Sequence, residues 1–290
     1  MVEIRLVQAA NALLGEGPSW HPGEGVLYWV DVLRPAVLRH DPAKGQTGLW
    51  PLKGTVGCAA PRRDGGLILG ADSDFVALDL ATGESRVLAT AEANMPHNRF
   101  NDGKVDRRGR FWAGTIDRRT EKPTGSLYRL DPDLTITRME TGVICSNGIG
   151  WSPDDRTMYF TDSMIRTIWA YDFDAAAGTI SNRRVFAKLG DDDGVPDGLA
   201  VDAQGCVWSA VWDGWRIVRY TPDGRIDREI RMPVQRPSSC MFGGPDLHTL
   251  YVTSACADLS GRDLLRGPLA GGLFAFEPGV AGLPEAPFAG

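Results

Sequence analysis

The chain has 290 residues, 43% of them hydrophobic and 23% charged, with a formal net charge of −6. This is ordinary globular composition, and the acidic balance without any Lys/Arg block argues against nucleic acid as a partner. No apolar run reaches the roughly 18–20 residues of a membrane helix, so no membrane partner is expected.

The opening Met1-Val2-Glu3-Ile4-Arg5-Leu6 is short, mixed in charge and already alternating, which argues against a signal peptide. Residues 2–14 are expected to pair into the last sheet and close a ring. From there a turn rich in Gly, Asp or Pro repeatedly precedes a strand with aromatic or branched residues. The strands are Leu27-Tyr28-Trp29-Val30, Leu67-Ile68-Leu69, Phe111-Trp112-Ala113, Tyr159-Phe160-Thr161, Val207-Trp208-Ser209 and Tyr251-Val252-Thr253. They recur at intervals of roughly 40–48 residues, within the range of propeller blades. After most of them comes a second strand ending in a turn, as in Leu38-Arg39-His40-Asp41-Pro42 and Val218-Arg219-Tyr220-Thr221-Pro222. Helical periodicity is hard to find. Six such units predict an all-β fold, a six-bladed β-propeller, with residues 1–290 forming a single domain. Two stretches read as irregular, 116–124 and 260–272, and the first is a candidate lid. The five cysteines are odd in number, widely spaced and without a CxxC pair, so reduced thiols in a cytoplasmic protein are expected.

Aligning the six units on the apolar residue of the innermost strand brings Trp20, Ala60, Val105, Trp151, Val201 and Phe242 into register. Four places earlier stand Glu16, Val56, Asn101, Asn147, Asp197 and Ser238. Strand period two makes equivalent positions face the same way, so these first residues crowd at one mouth of the channel. Five of the six carry side-chain oxygen. Carboxylates forced together repel, and a divalent cation relieves them. Carboxylate and amide oxygens without thiolate or imidazole suit a hard ion such as Ca²⁺, Mg²⁺ or Mn²⁺. The competing reading is that Asn147-Gly148 and Asp197-Gly198 are turn dipeptides and nothing more.

At these residues the chain resembles the SMP-30/gluconolactonase family, also known through regucalcin. The matching motifs are Leu14-Gly15-Glu16-Gly17-Pro18, Asn98-Arg99-Phe100-Asn101-Asp102-Gly103-Lys104-Val105-Asp106, Gly109-Arg110-Phe111-Trp112-Ala113-Gly114-Thr115, Ser146-Asn147-Gly148, Pro196-Asp197-Gly198 and Cys240-Met241-Phe242-Gly243-Gly244. The resemblance implies one catalytic divalent metal ion, with Ca²⁺, Zn²⁺, Mn²⁺, Mg²⁺ and Fe²⁺ all open, and hydrolysis of a sugar lactone. It implies metal ligands at Glu16, Asn147 and Asp197, with substrate contacts at Arg99 and Asn101 and support from Asp102. The family's lid carries an acidic substrate contact, for which Asp117 and Glu121 both remain open.

The expected reaction is metal-assisted hydrolysis of an aldono-1,4- or 1,5-lactone, such as a glucono-, xylono-, arabino- or galactonolactone, with Asp197 as both ligand and base. No G-x-S-x-G elbow is present, and Cys145 has no base placed for it. The run Asp191-Asp192-Asp193 reads as a solvated loop. The alternative function is a non-enzymatic calcium-binding regulatory or scaffold propeller; esterase or phosphotriesterase activity in the same pocket is a further variant.

Overall fold

The computed structural model describes residues 2–290. Six four-stranded antiparallel sheets stand in a ring, a six-bladed β-propeller. Blades 1 to 5 span residues 15–51, 56–90, 98–143, 146–188 and 195–231, each a simple meander from the axis outward. Blade 6 takes three strands, Pro237–Gly243, Thr249–Ser254 and Leu273–Phe276, and receives Arg5–Gln8 as its outermost strand. That pairing brings an N-terminal strand to the same sheet as three strands from the last part of the chain and completes the sixth blade.

Large side chains between the blades hold the ring. Trp112 of blade 3 packs edge-on to Trp151 and Phe173 of blade 4, with centroids 6.1 and 5.9 Å apart. Trp208 of blade 5 meets Phe242 and Phe276 of blade 6, and Phe75 of blade 2 lies 4.6 Å from Phe100 of blade 3. These rings are buried, so they act as inter-blade packing.

One irregularity recurs in all six innermost strands. Each shifts register against its neighbour at or beside the aligned polar position: between Glu16 and Ser19, Val56 and Cys58, Phe100 and Gly103, Asn147 and Ile149, Pro196 and Leu199, and Pro237 and Cys240. A bulge bends the strand and re-aims its side chain. The Asn-Gly and Asp-Gly pairs therefore sit inside strands Ser146–Trp151 and Val195–Val201, and the turn reading does not hold. Their glycines serve close approach between blades. A Cβ on Gly148 would lie 2.7 Å from the Asp197 carbonyl oxygen, and one on Gly198 would overlap Ser239.

The stretch at 260–272 is not wholly irregular. Gly261–Arg266 is a short α-helix, started by Ser260, whose Oγ accepts from the Asp263 backbone while the Asp263 carboxylate accepts from the Ser260 backbone. Ser260-x-x-Asp263 was its sequence signal. Among the described residues no helix is long and apolar enough to cross a membrane.

The two ends of the channel differ. The tail crosses the lower end, tied there by Gly282 N–H to the Leu247 carbonyl, Phe288 N–H to Pro61 and Ala289 N–H to Gly109. Its Glu285 pairs with Lys104 at 3.2 Å. The upper end, where the bulges lie, holds an open cavity.

Candidate active site

That cavity has a volume of about 360 Å³. Four of the six aligned positions line it: Glu16, Asn101, Asn147 and Asp197. The other two do not. Val56 is absorbed in the core between blades 1 and 2, and the Ser238 hydroxyl bonds the Gly15 carbonyl and Thr253.

The amides are fixed by their neighbours. Asn147 Nδ2 donates to Ser163 Oγ at 2.9 Å, and Ser163 Oγ donates onward to the Pro196 carbonyl at 2.7 Å. This leaves Asn147 Oδ1 as the atom turned toward Asn101, whose Nδ2 reaches it at 3.3 Å and the Ser146 carbonyl at 2.8 Å. Asn101 Oδ1 in turn accepts from Arg99 Nη1 at 2.7 Å. Asn101 is thus a hinge between Arg99 and Asn147, with both of its N–H groups spent.

The carboxylates are poorly provided for. Glu16 Oε2 accepts one hydrogen bond, from Gly17 N–H at 3.1 Å, and Asp197 Oδ1 is buried with no partner. Burial, and then the negative charge of Asp102, push the Glu16 carboxyl up to about 8. Burial, Glu16 and Asp102 together raise Asp197 well above the carboxylate range. A buried anion without a counter-charge is costly. A divalent cation would supply it, and the donors present, two carboxylates and an oriented amide oxygen, are hard oxygens. Among the described residues no three His, Cys, Asp or Glu side chains converge, so any such site depends on the amide. Cys145 also lines the cavity, but burial pushes its thiol up to about 12, so it is no nucleophile.

The remaining candidates divide. Arg99 lines the cavity and is 9% exposed. Asp102 is buried but does not line it; its Oδ1 accepts from Gly103 N–H at 2.7 Å, and burial raises it to about 6 against the pull of Lys104. The structure does not bring Asp117 and Glu121 to this cavity. Both line a separate surface hollow with His97 and Asn98. Strand period two explains this: Phe111–Asp117 sends Ile116 and then Arg118 toward the channel, and Asp117 to the other side. Arg118 is therefore legible from the alternation, and it brings a cation to a wall where the family resemblance implies an acid. Ser163 follows no pattern visible in the sequence.

Residues 14–256 match the family described as SMP-30/Gluconolactonase/LRE-like region. The chain is 37% identical to a regucalcin of Xenopus laevis over 100% of this chain and 99% of that protein. It is 38% identical to a 6-deoxy-6-sulfogluconolactonase of Pseudomonas putida, over 99% of each. The crystal structure of a calcium-binding protein, regucalcin, from Agrobacterium tumefaciens superposes with a TM-score of 0.94 at 29% identity, covering 99% of this chain and 97% of that one. With the fold, the ring of inner-strand residues and these matches in agreement, the chain belongs to the SMP-30/gluconolactonase/LRE-like family.

Proposed function

We propose that this protein hydrolyses a sugar lactone to the aldonic acid, with a divalent cation held by Glu16, Asn147 and Asp197. The observation that carries this reading is the pair of buried, under-bonded carboxylates beside an oriented amide oxygen, at a cavity with room for a sugar ring. The relative named as a 6-deoxy-6-sulfogluconolactonase supports a lactone as the substrate class.

A divalent ion held there supplies Lewis acidity, polarising an ester carbonyl and making water more acidic. Asp197 Oδ1, the oxygen with no protein partner, takes the proton of the attacking water. Asn101 keeps the Asn147 oxygen and the Arg99 guanidinium in place. Arg99 uses its remaining N–H groups on substrate oxygens. Ser163 fixes which end of the Asn147 amide faces the cavity. The five unpaired cysteines support a reducing compartment, the cytoplasm.

The test is acid release from a panel of pentono- and hexonolactones, using chelated protein with each divalent ion added back. Hydrolysis that needs an added ion is the expected result. Folded protein that binds the ion but never exceeds the spontaneous rate would overturn the proposal. The calcium-binding role suggested by the regucalcin names would then be the better account.

A further inference from the structure

Within the lactonase reading, on which this inference rests, we infer that the preferred substrate carries an anionic group at the end remote from its carbonyl. Arg99 and Arg118 would bind that group as a carboxylate, sulfonate or phosphate ester.

The first observation is the state of Arg99. It is nine-tenths buried, and its protein acceptors are the Phe100 carbonyl at 2.9 Å and the Asn101 amide oxygen at 2.7 Å. Among the described residues no carboxylate pairs with it. A buried guanidinium held only by neutral acceptors keeps its charge uncompensated, which is costly. A neutral polyol offers it more hydrogen bonds but no charge. An oxyanion offers both.

The second observation is that the nearest cation on the same wall adds to the imbalance. Arg118 lines the cavity and donates from Nη2 to Asp72 at 2.7 Å. Asp72 is pinned by Thr55, whose Oγ1 donates to it at 2.7 Å, so it fixes where the Arg118 fork sits. This ion pair is about half-exposed, and such pairs contribute little. Blades 2 and 3 thus present two guanidinium groups against one carboxylate. The other acids lining the cavity are already spoken for or distant. Glu16 and Asp197 form the proposed cation site, and Asp258 stands at the rim on blade 6, across the ring from blade 3. In a chain with a net charge of −6, a cationic wall inside the cavity is a local arrangement, not a property of the whole surface. The forked geometry of arginine fits all three oxyanions, so the wall selects charge before it selects shape.

Binding separates this inference from the reaction itself. The probes are a 1,5-anhydrohexitol, which has the sugar ring but no lactone carbonyl, and its terminal carboxylate, sulfonate and phosphate forms. Each is titrated calorimetrically into the chelated and the ion-loaded protein. At least one anionic form should bind about tenfold more tightly than the neutral ring. The preference should fall several-fold in Arg118→Gln, where Arg99 alone remains, and be largely kept in Arg118→Lys, with thermal melts showing that both variants fold. Equal or weaker binding of all three anionic forms by the parent protein would overturn the inference. So would a preference that Arg118→Gln leaves intact. In parallel, the four corresponding hexono-1,5-lactones are tested for hydrolysis. Failure to hydrolyse any of them, with the binding preference present, sinks the lactonase reading and leaves the anion subsite standing.

Discussion

Two pairs of buried aspartate or glutamate side chains sit in inner strands or at their ends, and the chain treats them in opposite ways. At the lower end Asp202 accepts from Gln204 N–H, Cys206 N–H, Trp208 Nε1, and Arg219 Nε and Nη2, all between 2.7 and 3.0 Å. Asp106 repeats the arrangement in blade 3 with Arg108 N–H, Arg110 N–H and Nε, and Trp112 Nε1. At the upper end Glu16 and Asp197, also buried, are thinly provided for: Glu16 Oε2 accepts from Gly17 N–H, and Asp197 Oδ1 has no partner. Burial alone does not mark a functional carboxylate. The two pairs differ in satisfaction instead, and a buried carboxylate left short of donors is costly unless a ligand compensates it.

The same substitution at both ends breaks or sharpens this contrast. Asp197→Asn should lower kcat/KM for the best lactone about a thousandfold, as expected for loss of a base that also helps hold the ion. The chelated variant should melt no lower than the parent, since burial, Glu16 and Asp102 already hold the Asp197 carboxyl well above the carboxylate range and a neutral amide replaces a neutral acid. Asp202→Asn should do the reverse. It places an amide N–H₂ against the donors of Arg219 and Cys206 and should cost about 3 kcal/mol or more in denaturant unfolding. Similar melting losses in both variants would show that the two ends are alike and that the upper pair is structural.

A smaller effect comes from the glycine beside the site. Gly198→Ala would drive a Cβ into Ser239, and overpacking of this kind costs about 1–3 kcal/mol. Because the strain falls between blades 5 and 6 at Asp197, ion affinity measured by calorimetry should drop together with stability. The same change at exposed Gly261, where a Cβ meets nothing, should leave both unchanged.

The most gradual effect is a pH dependence. Glu16 is raised from near 4.5 to about 8 in the cation-free protein. The folded state therefore holds a proton that the unfolded chain has lost across that window. Its stabilising contribution is complete below pH 4.5 and is lost as pH rises through 8, by about 1 kcal/mol per unit. Thermal melts of chelated protein should show stability declining from pH 5 to pH 8. Glu16→Gln should flatten that slope, and a saturating divalent ion should reverse it by competing with the proton. A chelated protein whose melting temperature ignores pH in this range would mean that Glu16 is better solvated than its burial implies.

Much of this was legible before any coordinates. The repeat, the strands and the inner positions Glu16, Asn101, Asn147 and Asp197 follow from period-two alternation and turn chemistry, which act over a few residues. The helix at Gly261–Arg266 was legible in principle from its capping pair, and so was Arg118 from its parity with Ile116. The turn reading of Asn147-Gly148 failed for a different reason. A strand bulge and a turn ask for the same dipeptide, and only the neighbouring blade distinguishes them.

The sequence by itself determined the number of blades, the phase of each inner strand and the oxygen-rich character of one end of the channel. The tertiary structure alone decided which of those oxygens remain unsatisfied. Ser238 finds Gly15 from the far end of the chain, and Ser163 finds Asn147 and Pro196 across two blades. Asp197 Oδ1 finds nothing. Hydrogen-bond satisfaction is a sum over partners brought together from distant parts of the chain, and no local pattern encodes that sum.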